Sequence, residues 1–205
     1  MSLETATEVE IELELEEIID LEREYTLEEY VALPDDGNTY ELIEGKLVMR
    51  PVTRDRHGRV MSRLYDAMRD FLKTKPVGEV WLTTGFNLGK KPNGKDNVLG
   101  PDLGFIIASR VPPEANEYLP YPDLAIEVWS RDSDLASPSK LAKARKKLQI
   151  YLAAGTTLAW GINPKNKTVE IYRQGQAPKI LNGSAELEGE ELLPGFKINL
   201  TDLFK

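Results

Sequence analysis

The chain's apolar positions fall mostly in short runs cut by Pro, Gly and Asp, and only two long stretches keep helical spacing. Residues 105–108 and 124–128 are the most compact runs, each introduced by Pro-Asp, at Pro101-Asp102 and Pro122-Asp123. Runs of this length with such borders read as buried strands. Residues 40–49 read as a hairpin turning near Glu44-Gly45, with Glu41 and Ile43 on one face and Leu42 and Glu44 on the other. Residues 77–82 and 83–88 read as successive strands, followed by a polar Gly/Asn/Lys loop over 89–100. Residues 158–162 and 168–172 read as a hairpin about Asn163-Pro-Lys-Asn166. Helical spacing appears over 57–73, where Val60, Leu64, Ala67 with Met68, and Phe71 form one stripe. It appears again from Pro138, suited to the first helical position, to about Ala153 before Gly155, with Leu141, Ala144, Leu148 and Leu152 inward. Thr26 and Glu29 fit a capping box opening a short helix. Residues 185–203 read as a Gly/Pro-punctuated end.

Composition narrows the class. A chain of 205 residues with 41% hydrophobic and 29% charged positions is ordinary for one soluble domain with a core of its own. No apolar run approaches membrane-spanning length and no leader pattern opens the chain, which points to a cytosolic protein without membrane contact. The absence of Cys excludes disulfides, thiolate catalysis and Cys-based zinc sites, and one His excludes multi-His metal centres. A bound metal would therefore rest mainly on carboxylates, which suits a hard cation such as Mg²⁺ or Mn²⁺.

The net charge of −8 at first opposes a nucleic-acid partner. Its distribution removes much of the objection. Residues 1–30 hold 12 of the 34 acidic residues and one basic residue, Arg23. The rest of the chain carries 25 of the 26 basic residues against 22 acidic ones. Residues 1–24 thus read as an acidic, mobile arm, and 25–205 as a single domain with positive charge gathered at Lys140, Lys143, Arg145, Lys146 and Lys147.

A few positions are candidates for chemistry. Glu127 lies inside an apolar run, where a carboxylate is costly unless a cation or donor compensates it. If the strands at 105–108 and 124–128 are neighbours, Asp102 meets Glu127, and two such carboxylates call for a shared proton or a metal ion. The plain alternative is a turn-capping Asp and a half-exposed edge Glu. Lys143, Lys147 and Tyr151 fall at i, i+4 and i+8 on one helix face beside the apolar stripe, which by itself reads as a solvated flank. His57, in the first turn of its helix, reads by itself as a capping or surface residue.

Several segments together resemble the Uma-type endonucleases of the restriction-endonuclease-like, PD-(D/E)xK group. They are Tyr40-Glu-Leu-Ile-Glu-Gly-Lys-Leu47, Arg56-His57, Gly100-Pro-Asp-Leu-Gly-Phe105, Pro122-Asp-Leu-Ala-Ile-Glu-Val128 with Ser130, Lys147 through Gly155, and Trp160 with Asn163-Pro164. The resemblance spans roughly residues 26–175 and rests on order and spacing. It implies an α/β architecture, a mixed sheet flanked by helices, with Asp102 and Glu127 as metal ligands and Lys147 beside the attacking water. It also matches Glu41 and His57 to accessory site positions. Two residues after Glu127, where the group usually carries its lysine, stands Trp129, and the resemblance moves that lysine to the following helix. Asn163 and Glu44 replace acids commoner in relatives.

Together these readings point to a Mg²⁺- or Mn²⁺-dependent DNA endonuclease, with homodimers expected by analogy and Lys140, Lys143 and Lys146 meeting flanking phosphates. Two alternatives stay open: a binding module that kept the fold and lost hydrolysis, and a nuclease on RNA or structured DNA. The acidic arm reads as a solubilising tail or as a phosphate mimic in the basic groove.

Overall fold

The computed structural model describes residues 19–50, 52–91, 93–114, 118–129 and 138–205. Most of the acidic arm, residues 1–18, and most of the loop expected over 130–139 lie outside the described residues. In chain order the first half comprises α1 (Leu27–Val31), β1 (Tyr40–Ile43), β2 (Lys46–Met49), α2 (Asp55–Thr74), β3 (Gly78–Leu82), β4 (Phe86–Lys90), β5 (Asp96–Leu99) and β6 (Leu103–Ile107). Then follow β7 (Leu119–Pro120), β8 (Leu124–Val128), α3 (Pro138–Ala153), β9 (Leu158–Asn163), β10 (Thr168–Arg173), β11 (Lys179–Leu181), β12 (Glu186–Gly189), β13 (Leu193–Asn199) and α4 (Leu200–Leu203).

The strands form a six-stranded sheet, β11-β10-β9-β8-β6-β3, a five-stranded sheet, β2-β1-β5-β4-β7, and the separate hairpin β12-β13. In the six-stranded sheet β8 pairs antiparallel with β6 and parallel with β9, so it is central. Leu103 lies opposite Ile126, which sets Asp102, one residue before β6, level with Glu127. The neighbour condition raised by the sequence is met.

Alternation along the central strands divides the core in two. Leu124, Ile126 and Val128 of β8, with Leu158, Trp160 and Ile162 of β9, face α2, the β12-β13 hairpin and α4. Ala125 and Trp129, with Ala159 of β9, face α3, whose Leu148, Tyr151 and Leu152 cover that side. Glu127 shares the parity of Ala125 and Trp129 and points to α3 as well, touching its Lys147 and Tyr151.

The expected helices and hairpins form. Thr26 accepts from the Glu29 amide and Glu29 from the Thr26 amide, completing the capping box. Three expectations change. Residues 77–82 and 83–88 belong to two different sheets, β3 and β4, because Thr83 takes a left-handed φ of +47° and turns the chain from one to the other. The expected loop over 89–100 contains β5, buried throughout. Its polar residues hid it, since Asp96 and Asn97 are buried as acceptors for the amides of Leu27 and Glu44, 3.3 and 2.9 Å away. The chain's end is a packed hairpin and a short helix, with Leu187, Leu193, Phe196, Leu200 and Leu203 in the larger core.

Candidate active site

Both sheets deliver acids to one place. β1 of the five-stranded sheet brings Glu41, the turn before β6 brings Asp102, and β8 brings Glu127; all three are at least nine-tenths buried. Lys147 reaches them from α3, its ammonium 2.8 Å from Oε1 of Glu41 and 2.8 Å from Oε1 of Glu127. Tyr151, one helical turn on, donates its hydroxyl to the same Glu127 oxygen at 2.9 Å. The lysine row is therefore divided: Lys147 and Tyr151 turn into the protein, while Lys143 is exposed.

Asp102 is bound from three sides. Its Oδ2 accepts the Val128 amide at 2.7 Å and lies 3.0 Å from His57 Nε2. Its Oδ1 lies 3.3 Å from Arg50 at the end of the β1-β2 hairpin. His57 is thus buried in the site, unlike the surface or capping residue that a lone His at a helix start suggests. Glu41 also accepts the Gly100 amide at 2.9 Å, tying β1 to the segment that carries Asp102.

The electrostatics follow from burial and these contacts. Burial pushes the Glu127 carboxyl up to about 7; Lys147 pulls it down, and the charges of Asp102 and Glu41 add to the rise. Burial likewise works against an ionised Asp102, but His57, the Val128 amide and Lys147 hold its carboxyl below the usual range. For Lys147 the cost of burial is outweighed by Glu127 and Glu41, so its pKa is raised and the ammonium persists. Arg50 loses hydration, yet Glu41, Glu127 and Asp102 hold its charge firmly. Burial first, then the Glu127 charge, keep the Tyr151 phenol protonated as a donor.

Two of these residues were not legible as site residues. Arg50 follows a hairpin strand and precedes Pro51, and no periodicity or motif marks it. Tyr151 stood in the right helical row, four residues after Lys147, which was the available clue. Of the other expected cations, Lys146 pairs with Glu44 at 3.2 Å and Lys140 belongs to the first turn of α3. At position 129 the Trp129 ring lies over Gly161, where an added Cβ would come within 2.4 Å of it.

The oxygen-rich donor set of Glu41, Asp102 and Glu127 matches the ligand preference of a hard divalent cation. Among the described residues, however, no three His, Asp or Glu side chains stand in an arrangement ready to hold a metal ion. Lys147 occupies the space between two of the acids.

A family model described as "Putative restriction endonuclease", Uma2, matches residues 27–201. This chain belongs to the Uma2 family. The crystal structure of a "putative nuclease belonging to DUF820" from Anabaena variabilis is similar to it, with a TM-score of 0.75 at 28% identity over 87% of this chain and 97% of that one. No curated protein matches. The Uma2 fold here is the restriction-endonuclease-like mixture of sheets and flanking helices that the sequence resemblance implied. No helix among the described residues of this Uma2 chain is long and apolar enough to cross a membrane.

Proposed function

We propose that this chain is a divalent-metal-dependent DNA endonuclease that hydrolyses phosphodiester bonds at the Glu41, Asp102, Glu127 and Lys147 cluster. The observation that carries the reading is a cluster of three buried carboxylates from two sheets, two of them on the Lys147 ammonium and the third, Asp102, on His57 and Arg50, in a family whose model is described as a restriction endonuclease. Buried charges of this density are costly to fold and are characteristic of functional sites.

Asp102 and Glu127 would hold Mg²⁺ or Mn²⁺, which supplies Lewis acidity to the phosphate and a nucleophile available at neutral pH. Lys147, which pairs with both Glu41 and Glu127, would place positive charge beside the attacking water and the phosphate oxygens. Glu41 keeps hold of the ammonium and fixes its direction. His57 and Arg50 orient Asp102 and offset its charge, leaving it ionised. Tyr151 limits the positions open to Glu127. A duplex has two strands and the described residues form one such site, so double-strand cleavage calls for two copies, and a homodimer is part of the proposal.

The second reading, a binding module that kept the fold without hydrolysis, is favoured by one observation: the acids in their present positions do not form a ready three-ligand metal site. Calorimetry with Mn²⁺ separates the two. We expect saturable binding by the wild type, its loss in Asp102→Asn, and cleavage of supercoiled plasmid by the wild type alone. Absence of binding and cleavage with both ion and duplex present establishes the binding module instead.

A further inference from the structure

We propose that a basic groove between α2, the turn joining β9 and β10, and Phe204-Lys205 binds the phosphate backbone of duplex DNA away from the scissile bond. The inference rests on the nuclease reading and names the surface that would hold its substrate. The groove has a volume of about 260 Å³ and is lined by Arg56, Arg59, Arg63, Lys165, Lys167 and Lys205, with no acidic residue in its lining.

The helix itself links groove and site. His57 turns inward to Asp102, while its neighbour Arg56 turns outward, with Arg59 and Arg63 three and seven residues further on. At 1.5 Å per residue the track from Arg56 to Arg63 runs about 10 Å. That is about three steps of one DNA strand at 3.4 Å each. The turn between β9 and β10 closes the other wall with Lys165 and Lys167, and Lys167 holds a left-handed φ of +54°, a conformation in which glycine is the usual occupant. A cation therefore stands at a backbone position that does not favour it.

Compensation within the protein is incomplete. Asp55 binds Arg59, Asp202 binds Lys205, and Arg63 donates to the Leu203 carbonyl. Arg56 and Lys167 are exposed and have no carboxylate partner among the described residues. On a chain of net charge −8, a groove lined by six basic residues and no acidic one is a local reversal of sign. Guanidinium forks suit phosphate oxygens, and the single aromatic ring in the lining, Phe204, offers no run of stacking surfaces for unpaired bases. The chemistry fits a duplex backbone read without regard to sequence. By contrast Lys146, one of the cations expected to serve this purpose, is already held by Glu44.

The test measures binding of a labelled DNA duplex by fluorescence anisotropy at salt concentrations from about 50 to 200 mM, where backbone contacts show as a slope of about −0.9 per phosphate. Without added divalent ion, Arg56→Gln/Lys167→Gln should flatten that slope by about 2, with an unchanged melting temperature. Lys143→Gln on α3 should change it by less than one contact. A slope in the double variant equal to the wild type's overturns the inference, as does wild-type protein that fails to bind the duplex. So does displacement of the labelled duplex by polyglutamate as effective as displacement by unlabelled duplex, which would mark a generic anion site. Cleavage assayed in parallel with Mg²⁺ keeps the two readings apart. Cleavage with an unflattened slope removes the groove and leaves the nuclease, whereas a flattened slope without cleavage removes the nuclease and leaves a DNA-binding surface.

Discussion

At the residue scale, Glu127 holds the most consequential proton. Its carboxyl is raised to about 7 from an ordinary 4.5, so between those values the folded protein binds a proton that the unfolded chain has released. Folding stability then falls as pH rises through that interval, and the contribution present below about 4.5 is lost by the time pH passes 7. Asp102 has the opposite sign: its lowered carboxyl contributes above its ordinary value and loses that contribution in acid. In metal-free protein, Glu127→Gln should therefore flatten the decline of stability between about pH 4.5 and about 7. Urea midpoints measured across that range check it, and parallel curves for wild type and variant would contradict the assignment. The same carboxyl should make Mn²⁺ affinity rise with pH toward 8, since the ion competes with that proton.

At the element scale, the position of Lys147 depends on how closely α3 lies on the sheet. Gly161 of β9 is the contact that permits it, because a Cβ there would meet Trp129 at 2.4 Å and Leu148 of α3 at 2.9 Å. Leu148 adjoins Lys147, so pressure at Gly161 reaches the site through one residue. Gly161→Ala should cost about 1–3 kcal/mol of stability by overpacking. That corresponds to roughly 2–4 °C in Tm per kcal/mol for a chain of this size. Plasmid cleavage should fall more than Tm alone explains, as measured well below the melting transition; unchanged activity would show that α3 has freedom the packing does not suggest. The same elements show where sequence patterns succeed. Residues 57–73 and 138–153 kept their helical stripes because each helix buries one face against a sheet. β5 escaped notice because Asp96 and Asn97 are satisfied by amides 69 and 53 positions away in the chain.

At the scale of the whole molecule, the site is a joint between two sheets. Glu41 belongs to one, Asp102 and Glu127 to the other, and the Gly100 amide and Lys147 ammonium bind them together. Filling that joint with an ion should stabilise the entire fold by mass action, about 2.7 kcal/mol at a hundredfold excess over Kd. A calorimetric scan with Mn²⁺ should show the upward shift in wild type and its absence in Asp102→Asn; equal shifts in both would place the ion elsewhere.

What the sequence determined by itself was local and periodic: the strands at 124–128 and 158–172, the two long helices, the capping box, and the pair of acids entering neighbouring runs. Those follow from burial parity, turn residues and cap chemistry, each confined to a few positions. The resemblance added Glu41, His57 and Lys147 as candidates and implied the fold. Tertiary structure alone decided that β8 is central, that thirty-odd residues from 77 to 107 divide between two sheets, and that His57 and Arg50 converge on Asp102. It also separated Lys147 from Lys143 and Lys146, which share its helix and its charge. The physical reason is the same in each case: the cost of burying a charge is set by its spatial partners, and those lie dozens of residues away along the chain.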